Sequence, residues 1–233
     1  MDSSGTDGSG RDDPSESAML ARTLRMNPPE NEIPAAVPAN SLLARTDNVA
    51  IALVGAHAYT TGLRFDLVIR LRHEPRGPLA YRVFDLLGSH PALDGSEERL
   101  LLGVEFADGR TVTNLRRPRF GGFSAEVDPD ELSLSPMGGG GGGRSFDQSF
   151  WLTPLPPAGP LIVVCAWSAF DIPESRTELD GGAVVSAASE AAVLWPPSPP
   201  EDEGQFVPED PRVPDGGWFA RVNRAGRGPL SPG

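Results

Sequence analysis

The chain has 233 residues, with 20 basic side chains against 32 acidic ones, a net charge of −12, and 27 Gly and 25 Pro. That composition, with 10 Phe, 4 Trp and 2 Tyr, excludes collagen, coiled-coil, disulfide-scaffold and membrane-spanning classes while leaving enough apolar mass for one core. The acidic balance argues against nonspecific attraction to nucleic acid or anionic lipid.

The first residues, Met1 to Asp7, have neither a basic start nor an apolar stretch, so they do not read as a secretory signal. No apolar run approaches the ~20 residues of a membrane helix. A soluble, cytoplasmic protein is expected. Residues 1–30 and 197–233 are rich in Ser, Gly, Pro and Asp or Glu, without periodic apolar positions. Both are predicted to be disordered arms. Residues 31–196 then form one domain, long enough to bury roughly 70% of its unfolded surface.

Inside that domain the dominant period is two. Val49 to Val54 is apolar on both faces, as in a central strand, and Leu63 to Arg72 alternates apolar with charged residues, as in a half-buried one. Tyr59-Thr60-Thr61-Gly62 between them predicts a hairpin. Residues 79–87 fit either a strand or a helix. A second hairpin is expected from Leu100–Phe106 and Arg110–Leu115, joined by Asp108-Gly109 in a tight primed turn. A third pairs Phe146–Leu152 with Leu161–Trp167 through the Pro156–Gly159 turn, with Leu132–Ser135 as an added edge strand. Asp180 N-caps a helix running to Val193 and stopped by Pro196, with Val184, Ala188, Ala191 and Trp195 on its packed face. Short antiparallel strands with one late helix predict an all-β, immunoglobulin-like sandwich.

Signatures of catalysis are sparse. Gly138–Gly143 followed by Arg144-Ser145 superficially suggests a phosphate loop. The Lys and the following helix of such a loop are missing, so a flexible connection or a close backbone approach to a partner is expected instead. His57, His73 and His90 show no ligand spacing, and no Gly-x-Ser-x-Gly elbow occurs. The single Cys165 lies in an apolar run and reads as a buried, inert thiol. No cofactor or metal is assigned. Asp128, Asp130 and Glu131 gather in one turn that could hold a cation, but Pro129 reads equally as turn chemistry and the ligand spacing of a calcium loop is absent.

Three segments stand out as contact elements. Arg116, Arg117, Arg119 and Phe120 form the only positive patch expected in the domain. Arg144 follows the glycine run. Trp218, Phe219 and Arg221 place aromatics and charge in a tail with no core of its own, where they read either as a binding motif or as a segment docking on the same chain.

Asn31-Glu32-Ile33-Pro34, Leu42 to Asp47, the glycine run and Pro154-Leu155-Pro156-Pro157 together resemble a family of uncharacterised actinobacterial proteins. The absence of Lys, a signature of GC-rich coding, agrees with it. The resemblance covers most of 31–196 and carries no catalytic residue. The function expected is a noncatalytic interaction module with an unknown protein partner. The alternatives are a metal-dependent binder or enzyme using dispersed loop carboxylates, and weak nucleic-acid binding through the Arg116–Phe120 loop.

Overall fold

Alternating burial dictates how the strands stack. In a computed structural model that describes residues 14–77, 83, 86–87, 98–115 and 131–197, Leu63, Phe65, Leu67, Ile69 and Leu71 are all buried on one face of a single strand. The strands in chain order are β1 (Glu32–Ile33), β2 (Ala35–Val37), β3 (Ser41–Arg45), β4 (Val49–Ala58), β5 (Leu63–Leu71), β6 (Leu101–Glu105), β7 (Thr111–Thr113), β8 (Ser133–Gly142), β9 (Ser145–Thr153), β10 (Pro160–Trp167), β11 (Ile172–Asp180) and β12 (Ala192–Val193). Helices α1 (Pro14–Met26) and α2 (Gly181–Ser189) flank them. The protein is predominantly β, and its sheets are antiparallel.

One six-stranded sheet runs β2-β4-β5-β9-β8, with β3 also pairing β4, and a four-stranded sheet runs β11-β10-β6-β7. Their inward residues join one apolar cluster: Ile51, Leu67, Phe150 and Leu152 from the first sheet, Leu102, Val104, Val163 and Trp167 from the second. Phe65 stacks on Phe150 at 5.7 Å, and Trp167 donates its indole N–H to Glu98 O at 2.8 Å. In β4 a bulge between Leu53 and Gly55 switches the inward positions from Val49, Ile51 and Leu53 to Ala56 and Ala58, leaving Val54 exposed.

Several expectations hold and several need correction. The β4–β5 hairpin forms as expected, closed by the Tyr59 N–H on Gly62 O. The β6–β7 hairpin forms too, but its turn is not primed. Phe106 and Arg110 bracket three residues, Gly109 N–H returns to Phe106 O, and only Gly109 has positive φ. That is a type I turn followed by a left-handed glycine, which a three-residue loop prefers. β9 and β10 are not a hairpin: their short connection crosses between the sheets, and each strand pairs elsewhere.

The glycine run is not a loop. It continues β8 to Gly142, in register with β9. The late helix is capped by Asp180, whose carboxylate accepts from Gly182 N at 2.8 Å and Ala183 N at 3.2 Å, but it ends at Ser189. Ala192 and Val193 turn into β12 against β1, which leaves Trp195 exposed rather than packed.

Residues 14–26, assigned by sequence to a disordered arm, form α1. A 13-residue helix is marginal in water. Tertiary bonds hold this one: Trp151 Nε1 donates to Leu24 O at 2.9 Å, and Arg25 pairs with Glu131 at 2.5 Å. Beneath it Trp151 is fully buried, with Tyr59 edge-on at 5.4 Å.

Candidate functional site

Glycine determines the shape of the β8–β9 hairpin. Gly143, with φ of 59°, and Arg144 make its two-residue turn, and positive φ at the first position alone is the type II′ pattern that matches strand twist. The turn closes on Gly142 and Ser145, so the antiparallel alternation makes Gly142/Ser145 and Gly140/Asp147 the hydrogen-bonded pairs. The Leu71 N–H donating to Arg144 O at 2.8 Å fits that phase, since Arg144 then faces β5. Gly139 and Gly141 therefore turn their N–H and C=O groups away from β9.

Side chains are excluded from one face of this strand and absent from the other. A Cβ on Gly139 would stand 2.6 Å from Asp147 O and 2.7 Å from Gln148 Oε1, and one on Gly141, where φ is 145°, would collide with Ser145 O. Gln148 is buried here and bridges the bulge in β8 by donating to Met137 O at 2.8 Å. Gly138, Gly140 and Gly142 face open space. Among the described residues β8 pairs only with β9, and from Gly138 to Gly142 its outer edge is exposed backbone.

The same end of the six-stranded sheet carries unexpected charge. Arg45 ends β3, Arg72 and Arg76 follow β5, and Arg144 sits in the β8–β9 turn. Backbone bonds from Thr46 N to Val49 O and from Arg72 N to Asn48 O, both 2.8 Å, tie these connections together. All four side chains are exposed and, among the described residues, make no ion pair or hydrogen bond, while the other described arginines have partners: Arg25 with Glu131, Arg64 with Asp66, Arg70 with Asp147, Arg110 with Asp108, Arg176 with Glu105, and Arg99 and Arg22 also engaged. Among the described residues Asp47 and Glu74 stand in the same connections, Glu74 beside Gly143. The reading that Arg116–Arg119 is the one positive patch is thus corrected. Sequence reasoning missed this second cluster because its members lie up to 99 positions apart and meet only through strand register. Arg144 alone was singled out from the sequence.

A polar ladder crosses the outer face of the same sheet. Ser149 Oγ donates to Asp66 Oδ1 at 2.5 Å, and Arg64 Nη2 lies 3.4 Å from Ser149 and 3.5 Å from Asp66. His57 opposes Arg64 across β4–β5, with its Nδ1 buried and unpartnered. No hydrogen bond links His57 to Ser149. The hydroxyl is thus tied to a carboxylate that Arg64 already occupies, which is not the base–nucleophile relay of hydrolytic sites. Burial raises the Tyr59 hydroxyl above its ordinary range, partly offset by Arg64.

Cys165 is buried, 3.2 Å from Ser175 Oγ, and desolvation pushes its thiol pKa up, which suppresses the reactive thiolate. A groove of about 200 Å³ opens between Val37, Pro38, Asn40, Glu178 and Asp180. Asp180 already caps α2 there, leaving that helix end no free N–H pair for an anion. Among the described residues no three His, Cys, Asp or Glu gather as a metal site. Glu131 pairs with Arg25; Asp128 and Asp130 lie outside the described residues, as do Arg116, Arg117, Arg119, Phe120, His90, Trp218, Phe219 and Arg221.

No protein-family model, curated protein or solved structure matches the chain.

Proposed function

We propose that the protein is a noncatalytic, cytoplasmic interaction module of immunoglobulin-like sandwich design that receives an extended segment of a protein partner along β8. The observation that carries this reading is the unguarded glycine edge. An open ladder of N–H and C=O groups is a template for an incoming strand. Here no side chain on Gly138 to Gly142 obstructs approach. Two antiparallel sheets around one apolar cluster support the sandwich, and a lone buried thiol fits a reducing compartment. No described helix is long and apolar enough to cross a membrane. Arg116, Arg117, Arg119, Phe120, Trp218, Phe219 and Arg221 belong to the same proposal as auxiliary contacts, and kinship with the actinobacterial family is proposed with it.

The test compares the intact chain with a Gly140→Lys/Gly142→Lys variant in capture from an extract of the source cells. Both positions face open space, so the variant should fold, and edge lysines discourage strand addition. A partner retained by the parent and lost by the variant is expected. Equal retention by both, or no partner for either, would overturn the assignment.

A further inference from the structure

We infer that the strand accepted by β8 is an acidic-ended peptide, running antiparallel with its negatively charged N-terminal end at the Arg144 turn, within the field of Arg72 two strands further in, and with bulky side chains opposite Gly140 and Gly142. This rests on reading β8 as the docking edge and adds direction, charge and side-chain size to it. Two independent features support it.

Charge sets the direction. In a chain of net −12, the four described arginines without partners all stand at one end of one sheet. β8 runs toward that end, closing at Gly142 beside Arg144, and the Leu71–Arg144 bond brings Arg72 next to the turn. An antiparallel strand laid against β8 must therefore begin there. Antiparallel pairing is also slightly the more stable ladder. Acidic residues at that beginning meet the Arg144 turn, where the arginines outnumber Glu74 beside Gly143, whereas at the opposite end of β8 Glu131 already holds Arg25.

Side-chain size follows from the glycines. Gly140 and Gly142 leave their own backbone uncovered on the outer face, with nothing within 4 Å of where a side chain would begin. Large residues on the neighbouring strand can lie over such glycines and shield the ladder from water. Nucleic acid would satisfy the arginines but not the outward N–H and C=O groups of Gly139 and Gly141, so a peptide is favoured.

The experiment titrates the full chain into a fluorescein-labelled ten-residue peptide, three Glu followed by alternating Phe and Thr. The comparisons are the same peptide with Ser for Glu and a single-stranded oligonucleotide of equal length. At low salt the Glu peptide should bind about tenfold tighter than the Ser peptide, and the gap should shrink at high salt. Arg72→Glu with Arg144→Glu should abolish the gap between the two peptides. Both side chains are exposed, and an unaltered melting temperature confirms folding. Arg45→Glu, about five strand spacings or ~24 Å from the docked strand, should change it less than twofold. Equal binding of both peptides would overturn this inference and leave β8 as a docking edge. Binding of neither, preference for the oligonucleotide, or an Arg45→Glu effect as large as the double variant's would overturn it as well.

Discussion

Two edge strands of this protein face the same hazard and meet it differently. β11, at the end of the four-stranded sheet, exposes Pro173, Glu174, Arg176, Glu178 and Asp180. Proline removes a donor and the charges resist desolvation, so β11 is a poor template for another strand. Arg176 also pairs across to Glu105 on the far side of β10. β8, at the end of the six-stranded sheet, presents glycine after glycine and no charge until Arg144 in the turn. One edge is blunted by side chains along its length; the other carries Pro136 and Met137 midway and is left without side chains only from Gly138 to Gly142. The contrast teaches that openness here is a local choice of residues, since both strands are antiparallel and each pairs with a single neighbour among the described residues.

The largest test of this contrast concerns what anchors the open edge. Phe150 in β9 is fully buried and stacks on Phe65 beneath the pairing that holds β8. Phe150→Ala should cost about 3–5 kcal/mol in chemical denaturation; a loss below about 1 kcal/mol would mean that β8 and β9 are not rooted in the shared core. A paired substitution within β8 is sharper. Gly141→Ala, at φ of 145° and against Ser145 O, should cost about 1–3 kcal/mol. Gly140→Ala, one residue away in open space, should be neutral or stabilise by up to about 1 kcal/mol. Equal effects would contradict the assigned phase of the strand.

A smaller effect distinguishes the protected interior of the β10–β11 pair from its exposed edge. Burial raises the Cys165 thiol, so the folded state holds this proton more tightly than the unfolded chain. The resulting stability is fully present below the unfolded thiol value of about 8.5 and is lost as pH rises from there through the raised folded value. Tyr59, also raised, acts in the same sense above about 10. In melting curves between pH 8 and 10, Cys165→Ala should show a shallower decline than the parent. Parallel declines would place the alkaline sensitivity elsewhere.

The two edges also mark where sequence reading succeeds and fails. β5 was legible because Leu63 to Leu71 alternates strongly between core and solvent. β11 was not, because its inward positions include Ser175 and Thr177, only half-covered, so the apolar half of the rhythm is faint. The second half of β8 has no side chains at all and hence no rhythm; only its pairing with β9 makes it a strand. α1 was missed for a related reason, since its order depends on Trp151 and Glu131, more than a hundred residues away. Arg144 could be singled out from its place after the glycines. Its companions Arg45, Arg72 and Arg76 become neighbours only once the register of five strands is known.

Amide hydrogen exchange along β8 in the free chain tests the open edge most directly. The N–H groups of Gly140 and Gly142, bonded to β9, should be protected, while those of Gly139 and Gly141 exchange at nearly unstructured rates and slow only when a docking peptide is added. Protection of all four glycines in the free chain would show the edge already covered and contradict the account.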